Sequence, residues 1–454
     1  MANSASADTS SRHPVDQVLP LPRLGLLGLQ HVLVMYTGCV TVPIVFGAAA
    51  RLSTSTVGLL VSADLLVAGL VTLLQALGVS RFLGVRLPIV AGATFAGVTP
   101  MIMIAGQYGM PAVYGSMLAA GLFGLLIAWP FARAVRFFPP LVSGSVITVI
   151  GLSLIGVAAG LIAGNDPTAK DYAQPSHLAL AAGIVVLIVA VNRFGRGILT
   201  QVAVLIGLAV GTVVAIAMGI SDFSSVGHAD WFGFPDPFHF GAPKFPAAAV
   251  ISMCVVMLVT FTESTADMLA VAEATGKELA HADLARGLAA DGLSGVLGGI
   301  FNSFLDTAFA QNVGLVEMTR VRSRYVTAVS GGLLVVLGLI PKLGALVASL
   351  PGPVIGAAGL VMFATVTAVG IRTLRKVEFE GTSNLLIVAV AIGVGMLPVV
   401  AGSIYHRLPD WFQTIAGSAI TSTTLAAFTL NLLFNHGPLR APRAAVPTPE
   451  YINS

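Results

Sequence analysis

Two carboxylates lie within a long apolar stretch of the sequence. Glu263 and Asp267 belong to the run 260–267, and residues four apart lie on the same face of a helix. An ionisable group inside a membrane costs about 3 kcal/mol, so it is expected to have a function. Burial and mutual repulsion favour protonation of at least one of the two, as a proton carrier requires. The alternative is a structural clamp, with a neutral Glu263 bonded to Ser or Thr neighbours.

The composition predicts that these residues lie in a membrane. The chain has 454 residues, of which 56% are hydrophobic and 9% are charged, whereas soluble proteins carry about 25% charged residues. This scarcity of charge excludes soluble enzymes, nucleic-acid-binding proteins and disordered proteins. Cys39 and Cys254 both lie in apolar runs, so no disulfide framework is expected.

Apolar runs of about 20 residues, long enough to cross a bilayer, predict eleven spans. They are 24–47, 54–78, 111–131, 140–163, 178–192, 198–219, 246–270, 325–349, 353–371, 384–403 and 413–435. Three weaker segments, 85–105, 283–303 and 305–320, raise the prediction to fourteen. Loops after even-numbered spans carry fourteen Lys or Arg residues and the other loops five. Because basic residues concentrate in cytoplasmic loops, both termini are predicted to be cytoplasmic.

A weak internal repeat divides the chain into two halves. Residues 138–144 and 350–356 share a Pro-rich span start at an offset of 212, and 94–96 and 308–310 resemble each other at an offset of 214. Because each half has an odd number of spans, the two repeats are predicted to be inverted. Inverted repeats interrupted at matching places are typical of secondary transporters, with the binding site where the interruptions meet.

The two interrupted segments, the third and the tenth, are predicted to be short, with extended strand-like stretches. In the tenth, the amide groups of Gln311 and Asn312 need hydrogen-bond partners, because an unpaired amide in hydrocarbon is unfavourable. A half-helix that begins here would direct its free N–H groups at the site. The third mirrors it, with Thr94 to Gly97 ahead of a short helix from about Val98. The side chains of Phe95 and Phe309 are candidate stacking walls for a flat ligand, core packing being the alternative.

Three further polar residues interrupt predicted spans. His31, beside Gln30 in the first span, either orients the site or contacts a substrate or proton. Asp291 in the ninth span is a candidate for coupling, the alternative being a structural bond to a neighbouring helix. Asp64 in the second span is interpreted as a local bond to a helix end and receives no site role.

These side chains together indicate which kind of ligand the site would bind. A carboxylate accepts bonds from two neighbouring N–H groups, and a carboxamide pairs with an N–H beside a C=O. A planar, neutral or weakly acidic heterocycle with imide groups fits both. No Lys or Arg lies at mid-span, which disfavours a small, strongly charged anion. The spacing of residues predicts no metal site and no cofactor.

The tenth segment resembles the nucleobase–ascorbate transporter family. Its sequence Gln311-Asn312-x-Gly314-x-x-x-x-Thr319-Arg320 is similar to that family's signature motif, as are Gln30-His31, Thr94-Phe95-Ala96, the Glu263 to Asp267 spacing and Ala290-Asp291-Gly292. The resemblance covers residues 24–436. It implies an all-α polytopic membrane protein of fourteen segments in two inverted seven-segment repeats, with core and gate domains, usually a homodimer joined through the gates.

The resemblance also implies domain boundaries. Between cytoplasmic tails at 1–22 and 437–454, the core would comprise 23–132 and 246–350, and the gate 133–245 and 351–436. The chain would import a purine, uric acid or xanthine, with protons across the inner (cytoplasmic) membrane. It would have no enzymatic activity, no cofactor besides the transported proton and no nucleic-acid partner.

The resemblance assigns roles to individual residues. Glu263 and Gln311 would anchor the base, the backbones near Ala96 and Ala310 would add hydrogen bonds, and Phe95 would stack. Thr94 would be a further substrate-binding residue. The remaining roles are proton coupling for Asp267, Asp291 and His31, and support of the site for Asn312, Gly314, Thr319 and Arg320.

Two departures and three alternatives accompany this hypothesis. Leu305-Asp306 stands where many members have Pro-Tyr, and Glu317 is expected at the surface. A uracil permease is disfavoured because uracil members commonly have glutamate where Gln311 stands. An inorganic-anion transporter of similar fold would lack the carboxylates of Glu263 and Asp267. An intramembrane enzyme would need a catalytic motif that the sequence does not offer.

Overall fold

The computed structural model describes residues 13–436 except 80, 136–137, 165–167, 170–171, 222 and 381. Within these residues the chain forms α-helices and one pair of short strands. In chain order they are α1 (Leu21–Ala49), α2 (Thr54–Leu77), β1 (Ala91–Ala93), α3 (Val98–Tyr108), α4 (Met110–Ala134), α5 (Pro140–Ala163), α6 (Pro175–Phe194), α7 (Ile198–Gln201), α8 (Ala203–Ala217), α9 (Ser224–His228), α10 (Ala247–Thr275), α11 (His281–Phe301), β2 (Asp306–Ala308), α12 (Ala310–Thr319), α13 (Arg324–Gly338), α14 (Pro341–Ala348), α15 (Gly352–Leu374), α16 (Asn384–Val400), α17 (Asp410–Ala416) and α18 (Ala419–Asn431).

Most of the long helices are apolar enough to span a membrane. Among the described residues, seven helices meet that condition alone: α1, α2, α4, α5, α6, α10 and α15. The pairs α13–α14 and α17–α18 each meet it as one span bent by 81° and 77° respectively, and α8 and α16 are shorter apolar helices. The chain is therefore a multi-pass membrane protein.

The two interrupted segments meet each other as an antiparallel strand pair. Ala91 lies opposite Ala308, Gly92 opposite Thr307, and Ala93 opposite Asp306. The pairing continues past the strands, where the N–H of Thr94 donates to the Leu305 carbonyl at 2.8 Å and that of Phe309 to the Val90 carbonyl at 2.9 Å. A half-helix follows each strand, since α3 begins at Val98 and α12 at Ala310. The predicted extended stretches, and the helix start at Val98, are confirmed.

Helix contacts in one half of the chain have counterparts in the other. Helix α4 packs on α11 as α2 packs on α13 and α14, and α6 packs on α8 as α16 packs on α18. Helices α5 and α15 pack on each other. These contacts form two groups of helices, α1–α4 with α10–α14 and α5–α8 with α15–α18, which meet chiefly through α1, α3 and α10.

Glycines let the backbones of paired helices approach closely. In α13, a Cβ atom added to Gly331 would lie 2.8 Å from the Gly69 carbonyl oxygen of α2 and 3.0 Å from the backbone nitrogen of Leu73. Gly292 of α11 is similarly close to the backbone of α4, with Leu125 N at 2.7 Å. Small residues at such contacts are typical of membrane helices, whose association depends on close packing.

The segment ahead of α1 is attached to the ends of other helices. The Asp16 carboxylate accepts a bond from Arg324 Nε at 2.7 Å, and the Gln17 carbonyl accepts one from the Ser323 hydroxyl at 2.5 Å. Arg324 also donates to the carbonyls of Ala76 and Leu77 at the end of α2. Part of the predicted tail 1–22 is therefore a docked segment. Residues 1–12 and the predicted tail 437–454 lie outside the described residues.

We expect Gly331→Ala to destabilise the protein and its neighbour Gly332→Ala to leave it intact. The methyl group at 331 would contact the α2 backbone, and overpacking of this kind costs about 1–3 kcal/mol. No atom lies within 4 Å of the corresponding position at 332. Thermal unfolding of the two purified variants in detergent tests this, and equal melting temperatures would contradict it.

Candidate functional site

The centre of the site is the contact between α10 and the segment that follows β1. Glu263, half-buried on α10, accepts a hydrogen bond on Oε2 from the Thr94 hydroxyl at 3.1 Å. The same Thr94 oxygen accepts the N–H of Ala96 at 3.1 Å. The structure thus brings together Glu263, Thr94 and Ala96, three of the predicted site residues. The Ala96 N–H, which was predicted to donate to the base, donates to Thr94 and fixes its side chain.

A cavity separates this part of α10 from the second group of helices. Val259, Thr262 and Glu263 line one side, Thr424 of α18 lines another, and α5 with the turn before it supplies the rest. The residues from that last part are Phe138, Val142, Ser143, Val146 and Ile147. Glu263 therefore faces the boundary between the two helix groups, where a relative movement would change its surroundings.

The two phenylalanines predicted as stacking walls differ in their environments. The Phe95 ring lies edge-on to Phe363 of α15, with ring centres 5.4 Å apart, at the boundary between the helix groups. The Phe309 ring instead packs behind the strands against Gly38 and Gly92. Phe309 thus has the core-packing contacts of the alternative interpretation, whereas Phe95 lies beside the site.

The start of α12 presents unoccupied hydrogen-bonding groups. Ala310 and Gln311 are exposed although the strand before them is buried. Their N–H groups lie in the first helical turn, where a helix offers no carbonyl partner. Within the described residues, the Gln311 amide makes no hydrogen bond to another side chain or backbone group. This end of α12 can therefore bind an acceptor through its backbone and an amide-like edge through Gln311.

Asn312 connects α12 to α1. Its Nδ2 atom lies 3.0 Å from His31 Nδ1 and 3.0 Å from the His31 carbonyl oxygen. His31 itself is 3% exposed. The pair fastens α12, the helix that carries Gln311, to α1.

The remaining carboxylates lie on either side of Glu263. Asp291 of α11 accepts a bond from the Gln75 amide at 3.0 Å, and Gln75 also donates to the Gly287 carbonyl at 2.9 Å. Asp267, one turn beyond Glu263, is half-buried, and its Oδ2 atom has no partner within the described residues. Arg372 in the last turn of α15 interacts electrostatically with Asp267 across the boundary of the helix groups.

The end of the signature motif closes α12. The Thr319 hydroxyl donates to the Leu315 carbonyl at 2.7 Å, and Arg320 ends the helix with a left-handed backbone at φ 55°. Open space surrounds the position where a Gly314 side chain would be. Glu317 is exposed, as expected.

Two serines that the sequence reasoning did not single out hold β2 in place. Ser264, next to Glu263, accepts the N–H of Ala308 at 3.0 Å and contacts the Thr307 hydroxyl at 2.9 Å. Ser294 accepts the N–H of Asp306 at 2.9 Å. Ser264 belongs to the polar run 260–267, which was a usable signal, whereas Ser294 has no comparable signature.

Comparison with known proteins gives consistent results. Residues 23–403 match the permease family of xanthine and uric acid transporters. The chain is 41% identical to a uric acid transporter of Escherichia coli, over 95% of this chain and 90% of that protein. It is also 41% identical to a xanthine permease of Bacillus subtilis, over 90% of this chain and 93% of the permease.

Solved structures share the fold at low sequence identity. The transmembrane domain of a cyanobacterial bicarbonate transporter superposes with a TM-score of 0.60 at 14% identity, covering 91% of this chain and 99% of that domain. The murine solute carrier 26 member A9, an anion transporter in the inward-facing state, gives 0.61 at 14% identity, covering 92% and 69%. The family match and the identity with the permeases, over nearly the whole chain, together establish that this chain belongs to the nucleobase–ascorbate transporter family.

Proposed function

We propose that this protein imports a purine nucleobase, uric acid or xanthine, together with protons across the cytoplasmic membrane by alternating access. The observation that carries the proposal is the Glu263–Thr94 pair, which faces a cavity between two helix groups. The exposed start of α12 belongs to the same region and offers Gln311 and free backbone donors. The names of the relatives, uric acid transporter and xanthine permease, support a purine substrate.

The chemistry of these groups matches a purine with imide edges. The Glu263 carboxylate can accept two neighbouring N–H groups, and the Gln311 amide can pair with an N–H beside a C=O. The N-termini of the half-helices α3 and α12 carry partial positive charge, which suits a weakly acidic ring without requiring Lys or Arg. Phe95 follows Thr94, the hydrogen-bond partner of Glu263, and is the proposed aromatic contact of the base.

Two other substrates fit the site less well. A uracil permease of the same family is disfavoured by Gln311, because the resemblance associates glutamate with uracil at that position. An inorganic-anion transporter shares the fold, but an anion would be repelled by an ionised Glu263 or Asp267. The likeness to bicarbonate and anion transporters is therefore taken as a likeness of fold.

Fourteen membrane segments in two inverted repeats are the proposed topology. The matching helix contacts of the two halves and the pairing of β1 with β2 support it. The proposed core is 23–132 with 246–350 and the proposed gate 133–245 with 351–436, and two copies are expected to join through their gate domains. Both termini would lie in the cytoplasm.

The proposed transport cycle moves the core relative to the gate. On the proposed outer side, the Thr414 hydroxyl of α17 donates a hydrogen bond to Gln107, and the Tyr108 hydroxyl of α3 lies 3.2 Å from the same Thr414 oxygen. Ser252 and Thr421 are 3.2 Å apart nearby. These contacts close the outer side, while Ala310 and Gln311 are exposed, as in an inward-facing state.

Proton coupling predicts that uptake rises as external pH falls and collapses with a protonophore. Glu263→Gln cannot exchange a proton, and losing a charged hydrogen bond to the substrate costs about 1.5–3 kcal/mol, roughly ten- to a hundredfold in affinity. Uptake of labelled xanthine into cells expressing each form measures both effects. Uptake indifferent to the protonophore would exclude coupling, and normal uptake by Glu263→Gln would exclude its central role.

Substrate class is tested by competition. Unlabelled uric acid or xanthine is expected to suppress uptake of labelled xanthine, whereas uracil and ascorbate in equal excess are expected to have little effect. Gln311→Ala should weaken purine competition by about tenfold, because a hydrogen-bonded edge of the base loses its partner. Competition by uracil as strong as that by uric acid would favour the uracil alternative.

Sidedness is tested with one accessible cysteine, since the remaining Cys39 is buried. Ala266→Cys in a Cys254→Ser background should react with a membrane-impermeant maleimide in inside-out vesicles, because Ala266 is exposed beside the site. Labelling in right-side-out vesicles should be much weaker, and xanthine should slow the reaction in inside-out vesicles. Equal labelling from both sides would contradict the proposed inward-facing state.

A further inference from the structure

A second pair of buried carboxyl groups lies in the core, apart from the Glu263 site. Asp64 is in the middle of α2 and Asp306 begins β2, and both side chains are 0% exposed. Asp306 lies opposite Ala93, the residue before Thr94, so the strand pair connects it to the substrate site. The transport scheme proposed above gives neither residue a role.

Asp64 is hydrogen-bonded as an ionised carboxylate would be. The thiol of Cys39 on α1 donates to Oδ2 at 2.8 Å, and the hydroxyl of Ser303 donates to Oδ1 at 3.2 Å. Both donors direct a hydrogen at Asp64. A metal cation would need lone pairs directed inward, so this arrangement suits a proton better than a metal.

Asp306 has no such partners. Neither of its carboxyl oxygens has a hydrogen bond within the described residues. The hydroxyl of Tyr114 on α4 is also unpartnered and 2% exposed, and it interacts electrostatically with Asp64. The cluster therefore contains a carboxyl group and a hydroxyl group, both buried, whose hydrogen-bonding capacity is unused.

The titratable groups of this cluster come from five elements. They are Cys39 of α1, Asp64 of α2, Tyr114 of α4, Asp291 of α11 and Asp306 of β2. In the described part of the chain, no Lys, Arg or His contributes to the electrostatic surroundings of Asp64 or Asp306. Two ionised carboxylates cannot be buried together without a compensating charge, so the pair must hold a proton.

Asp291 joins this pair to the substrate site. The Ser294 hydroxyl donates to the Asp291 carbonyl at 2.7 Å and accepts the Asp306 N–H at 2.9 Å, while Ser264, next to Glu263, accepts the N–H of Ala308 on the same strand at 3.0 Å. A change of charge at Glu263 therefore changes the energy of a proton on Asp306, and the reverse. We propose that Asp64 and Asp306 form a second proton-binding site of the core domain, which exchanges protons in step with the Glu263 site.

This proposal rests on proton-coupled purine transport, and the experiment separates the two. Wild type, Asp306→Asn and Asp64→Asn are reconstituted in liposomes containing a pH-sensitive dye, and labelled xanthine uptake is measured with proton uptake. Xanthine exchange between equal internal and external pools is recorded in parallel, because exchange requires no net proton movement. The two variants are expected to retain exchange within about twofold, whereas protons taken up per xanthine fall by about half as one of two coupled sites is lost.

Control variants separate proton binding from packing. Ser303→Ala removes a hydrogen bond from the cluster without removing a titratable group, and Asp283→Asn removes an acid at the start of α11, far along that helix from the cluster. Both should keep the wild-type proton ratio. Asp306→Glu keeps a titratable group and should restore the ratio that Asp306→Asn loses. If the asparagine variants do not fold, the wild type is measured instead. Its infrared difference spectra on adding xanthine should contain protonated-carboxyl bands beyond those that Glu263→Gln, Asp267→Asn and Asp291→Asn remove.

The possible results distinguish a failure of the proposed function from a failure of the second site. Wild type without xanthine-driven proton uptake would overturn the proposed function itself. If the wild type is coupled but Asp306→Asn and Asp64→Asn take up as many protons per xanthine as the wild type does, only the second site is overturned. The same holds if the additional infrared band is missing. A sodium gradient is also tested in place of the proton gradient. If it drives uptake by the wild type but not by Asp306→Asn, the second site binds sodium, and the assignment of the proton as its ligand is overturned.

Discussion

The antiparallel pairing of β1 with β2 is the interaction on which the site depends. A chain that leaves helical conformation inside a membrane exposes N–H and C=O groups that lipid cannot satisfy. Here two such interruptions, one from each half of the chain, satisfy each other through Ala91–Ala93 and Asp306–Ala308. Each strand of the pair leads into a half-helix, α3 after β1 and α12 after β2. Neither half could form this site alone.

Polar side chains around the strands stabilise an arrangement that three pairs of residues would not hold by themselves. Ser264 and Ser294 bind the β2 backbone from α10 and α11, and Asn312 ties the following half-helix to His31 of α1. Because these bonds come from different helices, the core helices and the strands form one connected unit. The same network brings the carboxylates into a series, since each of Glu263, Asp291 and Asp306 interacts electrostatically with the next.

The sequence predicted those features that depend on local pattern. Apolar length predicted the spans, and breaks in hydropathy predicted the extended stretches and the start of α3, because an interruption in a membrane requires a special backbone. Contacts between distant segments could not be predicted in the same way. The partner of Asn312 is on α1, and Asp64 bonds to Cys39 and Ser303 instead of the helix end expected for it. Phe95 and Phe309 occupy matching positions in the repeat, but only the environment of each ring distinguishes the boundary residue from the packed one.

The docked segment ahead of α1 gives the protein a convenient reference point. Its bonds, from Asp16 and Gln17 to Ser323 and Arg324 and from there to the end of α2, involve only helices of the group α1–α4 with α10–α14. A fluorophore or spin label attached within this segment would therefore move with that group of helices. Together with a second label on α6 or α16, it would report the distance between the two helix groups as one moves against the other during a single turnover.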